Sequence, residues 1–139
     1  MADKRIHPDD LNAEKPIGLR LPFARDSINI FSLNYTTLEQ SKTNIRNLLL
    51  TSKGERVYLP DYGCDIRKML FENNSGDLQS KAEEIIRSAF AKWLPYIEIK
   101  TLDLEVDQDN EHLFWIRLVF NLNYDPETFE EITIPIMVT

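Results

Sequence analysis

Two periods of hydrophobic spacing run along this chain, and the change from one to the other marks its elements. Residues 1–27 hold neither period: Pro8, Pro16 and Pro22 stand among scattered charges, and the only apolar run is Ile17, Leu19, Leu21 and Phe23. That stretch predicts an extended N-terminal arm, with residues 28–139 as a single domain. From Ser27, the residues Ile28, Ile30, Phe31 and Leu33 fit a short strand ending near Asn34. Thr36 then stands three residues before Glu39, and Thr37 three before Gln40, the spacing of a capping box that satisfies the first free N–H groups of a helix. This helix runs to about Thr51 with Leu38, Ser41, Ile45, Leu48 and Leu49 on one face, and Gly54 is the residue expected to end it in a left-handed conformation.

The loop from Glu55 to Gly63 contains Pro60-Asp61-Tyr62-Gly63, which predicts a turn because proline fixes one dihedral and glycine permits a positive one. Asp65 is placed to cap a short helix with Ile66, Met69 and Leu70 inward, broken at Asn73-Asn74-Ser75-Gly76. A second long helix starts near Asp77. It carries Leu78, Ala82, Ile85, Ile86, Ala89, Phe90 and Trp93 as a stripe wide enough to cover a sheet, and Pro95 stops it. The period then becomes two. Ile97 and Ile99 alternate on one phase and Leu102, Leu104 and Val106 on the other, which predicts a strand with a bulge near Lys100 and Thr101. A strand from His112 to Tyr124 places Phe114, Ile116, Leu118, Phe120, Leu122 and Tyr124 on its core face. After a turn at Asp125-Pro126-Glu127-Thr128, the last strand points Ile132, Ile134, Ile136 and Val138 inward. Pro135 cannot donate a ladder bond, so this is an edge strand. The pattern is α+β: a small antiparallel sheet, made of the N-terminal strand and a three-stranded meander, with two main helices and one short one on one face.

At 139 residues the chain is one domain's worth, able to hide roughly 68% of its unfolded surface. No apolar run exceeds the four residues Leu113 to Ile116, and the start lacks an apolar targeting segment, so neither a membrane span nor a membrane partner is expected. The single cysteine, Cys64, forms no internal disulfide, which fits a protein made inside a cell. Net charge is -7, against nucleic acid as a principal partner, since phosphate binding needs a basic face. The excess is local: residues 101–139 hold nine acids and Arg117 alone as a base, and residues 1–100 hold fifteen bases and fourteen acids. Carboxylates keeping strand faces and turns soluble explain that distribution.

Candidate chemistry is thin. His7, His112 and Cys64 lie far apart in sequence with no metal-ligand spacing, so no metal or other cofactor is expected. Cys64 has no histidine partner signature, and Thr51-Ser52-Lys53-Gly54-Glu55-Arg56 lacks the glycine and Gly-Lys-Ser/Thr order of a phosphate loop. Glu55, Asp61, Asp65 and Glu72 cluster in sequence, and a carboxylate pair across a cleft can hydrolyse glycosides if one pKa is raised. No motif supplies that cleft. In a chain with 23 acids such clusters arise by composition, so a cell-wall glycan hydrolase stands only as the alternative function, and no catalytic residue is assigned.

The central stretch is more specific. Asn44-Ile45-x-x-Leu48-Leu49-x-Thr51-x-x-Gly54-Glu55-Arg56, then Pro60-x-x-Gly63, then Leu70-Phe71-Glu72, resembles the sheath-initiator family of contractile-tailed phage baseplates, which has relatives in type VI secretion and other contractile injection systems. The resemblance covers about residues 17–139 and includes the order of helices and terminal strands. It implies a structural wedge protein, not an enzyme, on which the first ring of sheath subunits assembles. The implied partners are the tail sheath protein, other wedge proteins including a helical core bundle, and the tail tube or hub. The implied location is the tail baseplate of the virion, assembled in the host cytoplasm. The physical basis is strand addition: an open sheet edge offers unpaired N–H and C=O groups that an extended segment can satisfy, and many copies in a ring act together.

With Pro135, the resemblance assigns the sheath edge to Ile132, Ile134, Pro135, Ile136 and Val138. The arm's Ile17, Leu19, Leu21 and Phe23, too few and too interrupted to form a core, are expected to lie in a partner's groove, and Glu55 and Arg56 are expected to brace their loop, with Pro60 and Gly63, as an ion pair. Where the family often carries Glu-Pro-Arg after the long helix, this chain reads Leu94-Pro95-Tyr96. The proline is kept and both charges are gone. Contact with the core bundle then passes through apolar and aromatic packing here or lies elsewhere, and Leu94 and Tyr96 serve equally well to finish the core.

Overall fold

A computed structural model describes residues 7–25, 30–72 and 77–138. Its first long helix, α1 (Thr37–Leu50), begins at a cap shared among three carboxylate and hydroxyl groups. Thr36 Oγ1 accepts the Glu39 N–H at 3.2 Å, while Glu39 Oε2 accepts the Tyr35 N–H at 3.0 Å, so the reciprocal half of the box reaches one residue further out than its spacing predicts. Asp10 comes from the N-terminal segment to the same helix end, accepting from the Thr37 N–H at 2.6 Å and the Thr37 hydroxyl at 2.8 Å. A carboxylate there meets the positive end of the helix dipole as well as free N–H groups.

Helix α1 ends at Leu50 because Thr51 is already extended, with φ -96° and ψ 124°. Gly54 therefore does not cap it, contrary to the spacing. It takes φ +85° as third residue of the turn Ser52–Glu55, closed by the Glu55 N–H on the Ser52 carbonyl at 3.1 Å. The expected turn at Pro60–Gly63 starts one residue earlier, where the Tyr62 N–H meets the Leu59 carbonyl at 3.0 Å and Pro60 takes the second position that suits its fixed φ. Gly63 is needed for a different reason: at φ +132°, a Cβ there would stand 2.5 Å from the Thr51 carbonyl oxygen. Helix α2 (Ile66–Glu72) follows, burying Ile66 and Leu70; the break expected at residues 73–76 lies outside the described residues. Helix α3 (Leu78–Trp93) buries Ala82, Ile86, Ala89 and Phe90, with Leu78, Ile85 and Trp93 packed at the margins of the stripe.

The described residues form two antiparallel sheets. The N-terminal segment carries a 3-10 turn at Pro8–Leu11 and a two-residue strand, β1 (Gly18–Leu19), which pairs with β2 (Leu33–Asn34). The strand expected from Ser27 is partly outside the described residues; its C-terminal end, β2, joins β1 rather than the meander. The N–H groups of Ile17 and Arg20 take the carbonyls of Asn34 and Ser32, so β2's bonding groups are used by the arm. Asn34, 1% exposed, directs its side-chain amide at Leu19 O, Gln40 Oε1 and Thr43 Oγ1, joining arm and α1.

The second sheet has the order β3 (Ile97–Val106), β4 (Leu113–Leu122), β5 (Asp125–Met137). Its register slips between Ile99 and Thr101, where the change of phase predicts a bulge. The β4–β5 connection differs from the pattern. Leu122 pairs with Asp125, so Asn123 and Tyr124 form the turn, while Phe120 pairs with Glu130 and residues 126–129 loop out opposite Asn121. Pro126, which has no N–H, falls in that looped segment. Ile45 and Leu48 of α1, Ile66 of α2, Ile86 of α3, Ile116, Leu118 and Phe120 of β4, and Ile134 and Ile136 of β5 form the fully buried centre. The helices thus cover the face of the sheet that the alternation of β4 and β5 makes apolar.

Candidate functional site

Strands β3 and β5 are the edges of the three-stranded sheet, and the bonding parity of β5 decides which of its groups are free. The Val138 N–H donates to the His112 carbonyl at 2.7 Å. Because side chains and bonding groups alternate along an antiparallel pair, Ile132, Ile134, Ile136 and Val138 turn their N–H and C=O groups toward β4. Glu131, Thr133, Pro135 and Met137 turn theirs outward. Pro135 thus sits where its missing N–H interrupts no ladder, as expected of an edge. No backbone bond from the described residues reaches the outward N–H groups of Glu131, Thr133 and Met137.

A cleft of about 360 Å³ lies beside this edge. Glu131, Ile132 and Thr133 form one wall, Arg20, Leu21 and Pro22 of the arm another, and Glu39, Lys42 and Arg46 of α1 a third. Lys42 holds Glu130 of β5 at 3.0 Å, and Arg117 of β4 holds Glu131 at 3.3 Å. The cleft therefore has polar walls and an unpaired backbone along one side, which suits an extended peptide better than a compact apolar ligand.

The edge residues assigned by resemblance divide in two. The side chains of Ile132, Ile134, Ile136 and Val138 are core, and only Pro135 belongs to the outward set. Glu131, Thr133 and Met137 are the members that sequence reasoning missed, although the parity of Pro135 points to them, since residues two apart share one direction. In the arm, Ile17, Leu19 and Phe23 are exposed, Phe23 stacks against Phe31 with ring centres 5.6 Å apart, and Leu21 is half-buried in the cleft wall. Leu94 is buried in the core. Tyr96 packs against the core, its hydroxyl accepting from Asn44 Nδ2 at 2.7 Å, which leaves Pro95 as the exposed member of the triplet.

The loop is braced, but not by an ion pair between Glu55 and Arg56. Glu55 Oε2 accepts the Ser52 N–H at 2.9 Å, and the Arg56 guanidinium lies over the Tyr62 ring at 3.9 Å from its centre. The Gly54 N–H takes the Pro60 carbonyl at 2.7 Å, and the Cys64 N–H takes the Thr51 carbonyl at 2.8 Å. These ties hold Val57, Tyr58 and Leu59 out in solvent, with Leu59 at φ 60°.

Of the four acids that a hydrolase would use, Glu55, Asp61 and Glu72 are exposed, and Asp65 is half-buried 3.7 Å from the Lys53 ammonium. Asp65 and Glu72 share a depression with Lys68 and Lys81, so the charge around them is mixed. Burial pushes the Cys64 thiol up to about 11, which keeps it protonated and a poor nucleophile at neutral pH. Among the described residues no three histidine, cysteine or carboxylate side chains gather as metal ligands, and no helix is long and apolar enough to cross a membrane.

Comparison with known proteins gives a consistent result. The family model for baseplate wedge protein gp25 matches residues 37–127. Baseplate wedge protein gp25 of Enterobacteria phage T4 is 27% identical over 95 residues, 68% of this chain and 71% of that protein. Among solved structures, a Geobacter sulfurreducens protein described as a candidate tail lysozyme superimposes with a TM-score of 0.65 at 23% identity, over 78% of this chain and 97% of its own. A chain of the type VI secretion baseplate complex gives 0.57 at 20% identity, over 73% of this chain and 93% of its own. A chain of the anti-feeding prophage baseplate gives 0.56 at 16%, over 87% and 84%. At these identities the structures share the fold.

Proposed function

The chain belongs to the family of baseplate wedge protein gp25, and from that membership we propose that it templates the first sheath ring of a contractile tail by accepting an extended sheath segment along the outer edge of β5. The observation that carries this reading is the parity of β5. Its outward N–H groups at Glu131, Thr133 and Met137 have no backbone partner among the described residues, and Glu131 and Thr133 border a cleft open to a peptide. An added strand would gain main-chain bonds from these groups and skip one at Pro135, which sets its register. The arm residues Ile17, Leu19 and Phe23, exposed near the same wall, would meet other wedge components.

The role is one of assembly rather than catalysis. The likeness to a candidate tail lysozyme is a likeness of fold, and function belongs to sites rather than folds. A glycan hydrolase needs one carboxyl kept protonated by burial, whereas Glu55, Asp61 and Glu72 are in solvent and Asp65 faces a lysine.

The test uses Thr133→Pro, which deletes an outward donor and leaves the ladder to β4 intact. Particles carrying it should complete their baseplates and fail to start sheath, while the isolated variant keeps its circular dichroism. Sheaths of normal number and length on such particles would refute the proposal. Removing residues 132–139 is a poorer experiment, because it also removes four core side chains.

A further inference from the structure

The opposite edge of the same sheet is in a different state. The Asp107 N–H donates to the Leu113 carbonyl at 2.9 Å, which fixes the parity of the C-terminal half of β3: Leu102, Leu104 and Val106 present their bonding groups outward. The Asn123 N–H on the Tyr96 carbonyl, at 3.0 Å, does the same for Ile97 and Ile99 before the bulge. Outward groups along this edge are taken, at Ile97, Ile99, Leu102 and Leu104, the first by the Ile97 N–H on the Leu94 carbonyl at 3.1 Å. Gln79 of α3 donates from Nε2 to the Leu102 carbonyl at 2.5 Å and accepts the Leu104 N–H on Oε1 at 2.9 Å. That pair of bonds, to the carbonyl of one residue and the N–H of the residue two on, is what a residue of a parallel neighbouring strand would make. Arg87, held by Glu83 at 2.8 Å, donates from Nη1 to the Ile99 carbonyl at 3.1 Å.

The spacing suits the task. Eight helical residues from Gln79 to Arg87 rise about 12 Å, and the strand from Ile99 to the middle of the Gln79 clamp covers about the same distance. Helix α3 therefore lays two side chains along β3 like two rungs of a missing strand. Ordering a glutamine side chain costs about what two such bonds return, so net stability gives little reason for the arrangement. Exclusion of a strand gives one, since an open edge pairs with any extended segment of suitable register.

We infer that Gln79 and Arg87 close the β3 edge to partner strands, so that the sheet accepts a strand at β5 alone and works as a one-sided template. The one-sided part rests on the proposed addition at β5; closure of β3 does not. A ring that is to grow in one direction requires each starting subunit to offer one edge. Two open edges would let copies of this chain pair with each other, or let sheath segments add on the wrong side.

The experiment replaces both residues with an unbranched apolar side chain of similar size, Gln79→Met and Arg87→Met, in the full chain, with each single variant alongside. The double variant should keep its circular dichroism and self-associate at least tenfold more tightly than the parent in sedimentation velocity. In its monomer the Leu104 amide should exchange at least tenfold faster than in the parent, and association should restore protection at Leu104 and add it at Val106. Each single variant should show part of the effect, and Gln79→Met alone decides the matter if the double variant does not fold. An unchanged association constant, or association that leaves the β3 amides unprotected, would overturn the inference. Failure of the β5 reading registers separately, as absent protection of Glu131, Thr133 and Met137 when the parent chain meets purified sheath protein.

Discussion

Replacing Gly63 by alanine should be among the most damaging single-methyl changes in this protein, and Gly54 provides the control. Both glycines have positive φ, +132° and +85°, so an alanine is strained at either. At Gly54 nothing lies within 4 Å of the added Cβ. The cost is then the left-handed conformation alone, about 1–2 kcal/mol, less the roughly 0.4–1 kcal/mol by which alanine restricts the unfolded chain. A net loss of about 1 kcal/mol is expected. At Gly63 the Cβ would stand 2.5 Å from Thr51 O, 2.9 Å from Ser52 C and 3.0 Å from Lys53 N, all backbone atoms that cannot rotate away. Strain in that region of φ costs about 1–3 kcal/mol. Relieving the clash must also part the Cys64 N–H from the Thr51 carbonyl, a bond of 2.8 Å contributing about 1 kcal/mol. The sum is about 2–4 kcal/mol, less the same roughly 0.4–1 kcal/mol for the unfolded chain, so a net loss of about 2 kcal/mol and, with a slope of roughly 1.5 kcal/mol/M, a urea midpoint lower by about 1.5 M are expected, against less than 1 M for Gly54→Ala. Equal midpoints for the two variants would refute the reasoning, because φ would then matter and the close approach of residues 51–53 would not.

Three further outcomes are expected. Cys64 should make the protein lose stability in alkali: its thiol is raised to about 11, so the stabilisation is whole below the unfolded value near 8.5 and is lost as pH rises toward 11, by roughly 3 kcal/mol in all; urea midpoints between pH 7 and 11 should fall less steeply for Cys64→Ala, and parallel slopes would contradict this. Pro135→Thr should change stability by less than about 1 kcal/mol because its new N–H faces outward, whereas Ile134→Pro should cost more than about 3 kcal/mol through a lost ladder bond and lost core volume; equal thermal shifts would mean that the parity of β5 is misassigned. Asn34→Ala should cost about 1–3 kcal/mol by leaving the Leu19 carbonyl and Thr43 hydroxyl without their donor, and amide exchange at Ile17 and Arg20 should speed up as β1 loosens; unchanged exchange there would show that the arm is held by something else.

The chain's own periodicity determined the parts of this fold that depend on which way a side chain faces. The stripes of α1 and α3, the alternation of β4 and β5, and the bulge between Ile99 and Thr101 are all properties of a few adjacent residues, and a residue's face follows from its position in a repeat. Pro135 marked an edge for a reason equally local, the missing N–H. The family resemblance rested on residues of α1, the loop after it and the end of α2, with the order of the elements, and the family match to residues 37–127 bears it out. Tertiary structure decided which elements meet. Asp10 capping α1 across 27 positions, β1 taking β2 as its partner, and residues 126–129 looping out of β5 leave no periodic trace, because a repeat specifies a direction and not a neighbour. The same holds for the two sheet edges. A Gln79 on the polar side of a helix looks like any solvated glutamine until the fold brings Leu102 and Leu104 against it, 23 and 25 positions away, and only that packing makes one edge closed and the other open.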